Sequence, residues 1–253
     1  MSSEVLNRIT MIGVQPQIDE LLEKIRADGK VLGSIDFNKI TPMPESLNLE
    51  YGSESHLATL AYLKAISPAT GDFGVDKFVE EVYEQIVTNL NIEQKGLYKE
   101  STIMETDLDT PDAQEYIKLG KKHIDNLIKY GATTWYHWCR QNWGTKWNAS
   151  NCNPVKYNTI VFSTAYSKPT AIIYKLADMY PYIRFNCAWA DEALGRNVGR
   201  MAISKDLLFS IHIPEEGSKE AYEMSAQILK IDLNKRGLYY SETDGTYIRQ
   251  KHR

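Results

Sequence analysis

The stretch Trp135-Tyr-His-Trp-Cys-Arg-Gln-Asn-Trp-Gly-Thr-Lys-Trp-Asn148 separates two parts of the chain that have different hydrophobic patterns. Four of the five tryptophans in the 253 residues lie within it. Apolar residues before the stretch mostly follow helical spacing, whereas those after it mostly follow strand spacing. The stretch therefore decides the fold prediction, because it divides a block of helices from the second half of a sheet.

Downstream of the stretch, the pattern predicts one strand, one helix and then three more strands. The strands are predicted over residues 157–166, 183–190, 198–203 and, at the sheet edge, 209–213. Between the first two, Pro169 opens a helix that ends at Pro181. Its core-facing residues are predicted to be Ile172, Ile173, Leu176, Ala177 and Tyr180. A last helix is predicted over 218–229, and the polar tail after Arg236 is predicted to fray.

Upstream of the stretch, the chain opens with a predicted strand over 7–14, a helix and a second strand over 31–40. That helix buries Ile18, Leu21, Leu22 and Ile25, and Gly29 is placed to stop it.

Helical spacing then dominates the chain as far as the tryptophan stretch. Helices are predicted over 56–66, 75–90, 111–131 and 133–140. The third has Asp109 or Thr110 as its N-cap, and it buries the side chains of Tyr116, Leu119, Ile124, Leu127 and Ile128.

This order of elements predicts an α+β fold: a ferredoxin-like antiparallel sheet with helices on one face and an inserted helical layer. No low-complexity linker divides the chain, so we expect a single domain, 1–253, with a helical insertion at 53–140.

Composition narrows the class of protein. Hydrophobic residues make up 43% and charged residues 25%, as in ordinary globular proteins, and no apolar run reaches the ~18 residues of a membrane span. The net charge of -4 argues against extended DNA binding. The N-terminus lacks the pattern of a signal peptide. Cys139, Cys152 and Cys187 have no zinc or redox spacing, so reduced thiols in the cytoplasm are expected.

Three segments resemble the Api92-like family of phage and plasmid proteins, which also includes YubB-type proteins. They are the residues Asn142-Trp-Gly-Thr-Lys-Trp-Asn148, Phe162-Ser-Thr-Ala-Tyr-Ser-Lys-Pro169 and Trp189-Ala-Asp-Glu-Ala-Leu-Gly195. The resemblance implies a ferredoxin-like domain and an origin in a mobile genetic element, and it implies no activity. Family members usually carry tryptophan where this chain has Tyr166, and Pro-Pro where it has Lys168 and Pro169.

The tryptophan stretch also supplies the main candidate site. An aromatic platform with cationic side chains suits a flat, phosphate-bearing ligand. The candidate ligand-binding residues are Arg140, Trp143, Lys146, Trp147, Asn148 and Tyr166. In the alternative interpretation the tryptophans fill the core and Lys146 extends to solvent.

A second candidate site would be catalytic. Asp191 and Glu192 are adjacent acid/base candidates, with His137 as a possible partner and Lys146 as an anion clamp. Adjacent carboxylates at a strand end more often cap backbone amides. No metal-ligand spacing occurs, and no cofactor is predicted.

From these features we expect a non-enzymatic accessory or binding protein of a phage or other mobile element. The expected partner is a host or phage protein, or a nucleotide-like ligand, bound through the aromatic loop beside the sheet. The alternative is a small hydrolase or transferase acting on a nucleotide-like substrate. The sequence leaves the oligomeric state open.

Overall fold

The computed structural model describes residues 3–70, 110–205 and 207–249. The chain divides into two compact units, the first formed by Met1–Pro42 with Cys139–Arg253 and the second by Met43–Trp138. The helix predicted over 75–90 lies outside the described residues. A single domain with an insertion at 53–140 stays a prediction.

The first unit is built on a five-stranded antiparallel sheet in the order β2-β1-β3-β4-β5. The strands are β1 (Glu4–Ile12), β2 (Thr159–Ala165), β3 (Arg184–Asp191), β4 (Gly199–Ser204) and β5 (Leu207–His212). The described helices of the whole chain are α1 (Gln15–Ile25), α2 (Ser53–Thr70), α3 (Pro111–Tyr130), α4 (Trp135–Asn142), α5 (Thr170–Met179) and α6 (Lys219–Leu229). The predicted α+β class with an antiparallel sheet is therefore confirmed.

One face of this sheet forms the core of the first unit. Every second residue of β1 is buried, beginning at Val5 and ending at Met11. Residues opposite each other in an antiparallel sheet share a face, so the partners of Ile9, which are Ile160 and Cys187, belong to the same layer. Helix α5 packs on β3 and β4. The predicted core positions of α1 and the first four of α5 are buried, whereas Tyr180 is only partly buried.

Among the described residues, α6 covers one end of the opposite face. Ala221, Met224 and Ile228 of α6 form a buried cluster with Ala190 and Val198, against which Leu6 and Ala188 pack. The rest of this face, toward the far ends of β1 and β3, carries polar side chains. That open part of the sheet is where the site described below lies.

The second unit contains α2 and α3, which pack closely. A Cβ at Gly120 of α3 would lie 2.0 Å from the carbonyl oxygen of Ala58 in α2, so only glycine permits this approach. Helix α3 begins as predicted, with the Thr110 side chain capping the backbone N–H of Ala113, and ends at Gly131. Of the predicted core residues of α3, Ile124 is buried and Tyr116, Leu119 and Leu127 are only partly buried. The prediction for Ile128 is wrong, because this side chain is 68% exposed.

The second predicted strand, 31–40, is wrong. Gly33 has φ +110. It lies so close to the 153–155 backbone that a Cβ added to it would be 2.3 Å from the amide nitrogen of Val155. Residues Phe37–Lys39 form a 3-10 turn capped by the Asp36 carboxylate. Helix α1 ends at Ile25, before Gly29, which was the residue predicted to stop it. Tight turns replace the extended run, so there is no β-α-β opening.

The prediction of a frayed tail is also wrong. Residues after Arg236 form an antiparallel hairpin of β6 (Leu238–Ser241) and β7 (Thr246–Arg249). Gly245, at φ +66, donates its N–H to the carbonyl oxygen of Ser241 and closes the turn. The rings of Tyr240 and Tyr247 then meet across the strands at 5.7 Å. Aromatic cross-strand pairs of this kind stabilise a short hairpin.

Candidate functional site

Trp143 is part of the core of the first unit. Its side chain is 4% exposed, and its Nε1 donates a hydrogen bond to the carbonyl oxygen of Thr41 at 2.9 Å. Its ring lies edge-on to Phe37, at 5.8 Å between centroids, and Phe37 in turn meets Phe162 of β2. Such burial leaves Trp143 no surface for a ligand and favours the core-filling interpretation.

Asn148 also has a structural task. Its Oδ1 accepts hydrogen bonds from the backbone N–H groups of Phe37 and Ala149, and its Nδ2 donates to the carboxylate of Asp36. The side chain thereby joins the loop of residues 143–148, which we call the tryptophan loop, to the turn that follows α1. Its polar atoms are engaged within the fold, which explains why this position carries an amide.

Lys146 and Trp147 are placed differently. Trp147 is 45% exposed, and the Lys146 Nζ lies 4.4 Å from the centroid of its indole ring. The loop that carries them is fixed to the end of β2, because Thr145 Oγ1 donates to the carbonyl oxygen of Ala165 and Ser167 Oγ donates to that of Gly144. In this cation–π pair the indole of Trp147 faces solvent, in contrast to that of Trp143.

The remaining two candidates of this set lie at ends of elements. Arg140 is exposed in the last turn of α4. Tyr166, at the end of β2, is 52% exposed with φ +65, and its backbone is fixed from both sides. Its N–H donates to the Ser3 carbonyl oxygen, and its own carbonyl accepts from Asn197 Nδ2.

The two candidate catalytic carboxylates stabilise the turn after β3. Asp191 is 6% exposed and accepts hydrogen bonds from the Ser3 hydroxyl, the Ala193 N–H and the Asn197 amide. Glu192 is exposed and accepts from the Glu4 N–H. These contacts favour the capping interpretation.

His137, their predicted partner, belongs to the second unit. Its ring lies edge-on to Tyr51 at 5.3 Å and to Tyr136 at 5.1 Å. The two tyrosine rings are themselves stacked, with centroids 4.0 Å apart. The histidine is therefore part of an aromatic cluster.

A groove that sequence reasoning missed lies on the open face of the sheet. It has a volume of about 530 Å³. Cross-strand register puts its polar residues in rows: Arg8 of β1 and Arg200 of β4 both pair with Ala188 of β3, and Thr10 pairs with Asn186. Further polar lining residues are Thr159, Arg184 and Ser210. We call this surface the arginine groove.

The three arginines of the groove are held by neutral groups. Arg8 Nε donates to the carbonyl oxygen of Ile228 at 2.8 Å, Arg184 Nε to Asn186 Oδ1 at 3.1 Å, and Arg200 to the side-chain oxygen of Gln227. Across the described residues, none of the three has a carboxylate within 4.0 Å. Their positive charges are thus oriented but uncompensated.

The guanidinium group of Arg8 is also partly buried. Partial desolvation lowers the pKa of its guanidinium below the ordinary value. An arginine nevertheless stays protonated at neutral pH. A charge that is half-buried without a counter-ion is costly to the folded protein, and an anionic ligand would relieve that cost.

An aromatic side chain borders the groove. Register shifts between Ala202 and Ile203, where a β-bulge brings Phe209 of β5 to the same face as Arg184. The Arg184 guanidinium carbon lies 4.6 Å from the centroid of the Phe209 ring, which is 47% exposed. Arginine planes and aromatic rings both offer stacking surfaces to nucleic acid bases.

Comparison with known proteins finds a similarity in one part of the chain. Residues 142–232 match the family model described as "Ferredoxin-like domain in Api92-like protein". This segment is therefore similar to the ferredoxin-like domain of Api92-like proteins. A solved structure described as a crystal structure of a protein api92 from Yersinia pseudotuberculosis is similar over 86% of this chain and 99% of that chain, with 8% identity and a TM-score of 0.38. No curated protein is significantly similar in sequence.

The matched segment begins just before the Lys146–Trp147 pair and ends after α6. It therefore contains the Lys146–Trp147 pair and also Arg184, Arg200 and Phe209 of the groove. Arg8 comes from β1, outside the matched residues. The groove is completed by a strand that the chain supplies far upstream of the matched segment.

The sequence does contain a signal for the arginine groove, both within and outside the matched segment. Arg8, Arg184 and Arg200 each occupy a strand position next to a core residue, so alternation alone assigns them to the outer face. Their convergence depends on strand order, which alternation does not give. The net charge of -4 gives no indication of a local basic surface.

Two further searches bear on the class of site. In the part of the chain that the structure describes, no group of three or more His, Cys, Asp or Glu side chains is arranged to hold a metal ion. No helix among the described residues is both long and apolar enough to cross a membrane.

Proposed function

We propose that this protein is a non-enzymatic binding protein whose arginine groove takes the nucleotide units of a single-stranded nucleic acid. The observation that carries the proposal is the set of three oriented arginines, none of which has a carboxylate partner among the described residues. Phosphate oxygens are the preferred bidentate partners of guanidinium groups.

The dimensions of the groove support a ligand larger than one phosphate. Strands in a sheet lie about 4.8 Å apart, so Arg8 and Arg200, two strands apart, have Cα atoms separated by roughly 10 Å. Arg184 lies four residues along β3 from the row of Ala188, which is roughly 13 Å. Charges spread over that area suit several phosphates, and Phe209 offers a surface for one base.

An experiment with matched variants tests this function. We expect the double variant Arg184→Gln/Arg200→Gln to bind a fluorescent single strand of about ten nucleotides at least ~10-fold more weakly in anisotropy titrations, since a hydrogen bond to a charged group contributes about 1.5–3 kcal/mol. Both side chains are exposed, so the thermal midpoint is expected to stay within a few degrees.

The control is Arg26→Gln, which removes the same charge from α1, where Arg26 pairs with Glu23 at 2.9 Å. Binding by this control is expected to equal that of the wild type. Equal losses in the control and in the groove variants, or no binding by the wild type at low salt, would contradict the proposal.

A second candidate function is capture of a host or phage protein by the Lys146–Trp147 pair. The exposed indole is the observation that favours it, because tryptophan is prominent among the residues that dominate protein interfaces. We expect Lys146→Ala/Trp147→Ala to abolish capture of that partner from a host lysate and to leave the melting midpoint within a few degrees. The buried Trp143→Ala is the contrasting variant, expected to lower stability by about 3–5 kcal/mol.

We further propose that the protein is an accessory factor of a phage or other mobile element and works in the cytoplasm. The family resemblance supports the first part. The second is supported by the three cysteines, which are all free thiols. The alternative function, a hydrolase or transferase, is supported only by the arginine groove, because Asp191 and Glu192 are engaged in turn contacts.

A further inference from the structure

The two edge strands of the sheet, β2 and β5, differ in whether the outer edge is paired with other backbone. The outer edge of β2 is paired with the loop that precedes it: Ser150 exchanges two backbone hydrogen bonds with Ser163, and the Asn153 N–H donates to the Val161 carbonyl oxygen. At the other edge, β5 pairs with β4 alone within the described residues. An unprotected edge offers a row of free backbone donors and acceptors to another strand.

The side chains of β5 make this edge unusual. Its large apolar residues, together with the one that follows it, are each about half exposed: Leu207 50%, Leu208 44%, Phe209 47%, Ile211 51% and Ile213 57%. They lie on both faces of the strand, because neighbouring residues alternate. Edge strands of soluble monomers usually carry charges or are covered. Residues 207–213 carry no Lys, Arg, Asp or Glu, and no strand of the described part of the chain covers the outer edge of β5.

We propose that β5 pairs, antiparallel, with β5 of a second copy of this chain. A foreign strand would need to be apolar on both of its faces to match, and β5 itself has that property. The segment 207–213 contains no lysine, arginine, aspartate or glutamate, so two copies meet without charge repulsion. An isologous contact of this kind closes on itself and produces a dimer.

The available area agrees with a weak dimer. Five large apolar side chains, each about half exposed, offer on the order of 400–500 Å² per copy. Two copies would bury roughly 1,000 Å², which is the lower limit of specific interfaces. Interfaces at this lower limit are typically weak or transient, so we expect a dissociation constant on the order of 1–100 µM.

The dimer would enlarge the open surface described above. Antiparallel strands from two copies are related by a two-fold axis perpendicular to the sheet, so equivalent faces stay on the same side. A continuous ten-stranded sheet would then present two arginine grooves in one direction. Phe209 belongs both to β5 and to the border of the groove, so pairing at β5 would cover part of the ring that the proposed function offers to a base. The dimer is therefore tested without an oligonucleotide.

Sedimentation velocity tests the dimer. Over concentrations of about 1 to 300 µM, spanning the expected dissociation constant, we expect the wild type to move from monomer to dimer. Leu208→Lys/Ile211→Lys is expected to stay monomeric, because two lysines per copy would face each other across the contact. Both side chains are exposed, and neither lines the arginine groove, so folding and oligonucleotide binding by the monomer are kept.

The matched control is Tyr157→Lys/Tyr182→Lys, which adds the same charges at tyrosines outside β5 that are 85% and 80% exposed. This control is expected to dimerise like the wild type. Hydrogen exchange provides a second readout, with amides of 207–213 becoming more protected as protein concentration rises. A monomer at every concentration, or a dimer that survives the β5 lysines with unprotected β5 amides, would overturn the proposal.

Discussion

At the scale of single residues, two indoles four positions apart have opposite environments. Trp143 packs on Phe37 in the core, whereas Trp147 carries Lys146 over its ring at the surface. The reason is Gly144, whose φ of +81 turns the chain between them. In a regular helix the pair would share a face, and sequence spacing alone cannot tell which turn the chain takes.

Cysteine chemistry gives a prediction at this scale. Burial raises the pKa of both Cys139 and Cys187 to about 12, and Cys152 is partly exposed. The thiolate is the reactive form, so at pH 8 the native protein is expected to react rapidly with a thiol reagent only at Cys152. Three thiols are expected to react in denaturant. Cys152→Ser is the control, and rapid reaction of this variant in the native state would contradict the assigned burial.

The raised pKa values of the buried thiols also determine how the free energy of unfolding changes with pH. A thiol whose pKa is raised in the folded state binds its proton more tightly when folded than when unfolded. The stabilisation from Cys187 is therefore complete below its ordinary pKa of 9.0 and falls as the pH rises toward about 12. The loss is about 1.4 kcal/mol for each pH unit in that window.

At the scale of elements, alternation and helical spacing predicted those parts that have a clear buried face. β1, β2, β3, β4 and β5 all lie within a few residues of their predicted positions, as do α1, α3, α5 and α6. The failures involve turns. Residues 31–40 read as a strand, but Gly33 approaches the 153–155 backbone, a contact that no local pattern contains. The tail hairpin was missed because its two strands are only four residues long.

Gly144 gives a prediction for the element that it joins. A Cβ at this position would lie 2.7 Å from the backbone nitrogen of Thr170, at the start of α5, and φ is +81. We expect Gly144→Ala to lower the free energy of unfolding by about 3 kcal/mol, as measured by urea denaturation.

The comparison variant is Gly29→Ala, in the turn after α1. Its φ is +68, and no atom lies within 4 Å of the added Cβ, so only backbone strain remains. We expect a loss of about 1 kcal/mol. Equal losses in the free energy of unfolding from the two substitutions would contradict the close approach of Gly144 to the start of α5.

At the scale of the whole molecule, net charge is a poor guide to the site. The chain carries 33 acidic and 29 basic residues, yet the three arginines of the groove share one open face without a carboxylate partner among the described residues. Arg8 and Arg184 are 176 positions apart in the sequence (184 − 8), and they share one face because β1 pairs with β3 in the sheet. The aromatic loop was visible in the sequence; the groove required the fold.

The salt dependence of single-strand binding tests the central claim most directly. Each phosphate neutralised on a single strand contributes about -0.7 to the slope of log K against log salt concentration. With three arginines engaged, the wild type is expected to give a slope near -2, and Arg184→Gln/Arg200→Gln a slope near -0.7. The same steep slope in both proteins would contradict binding at the arginine groove.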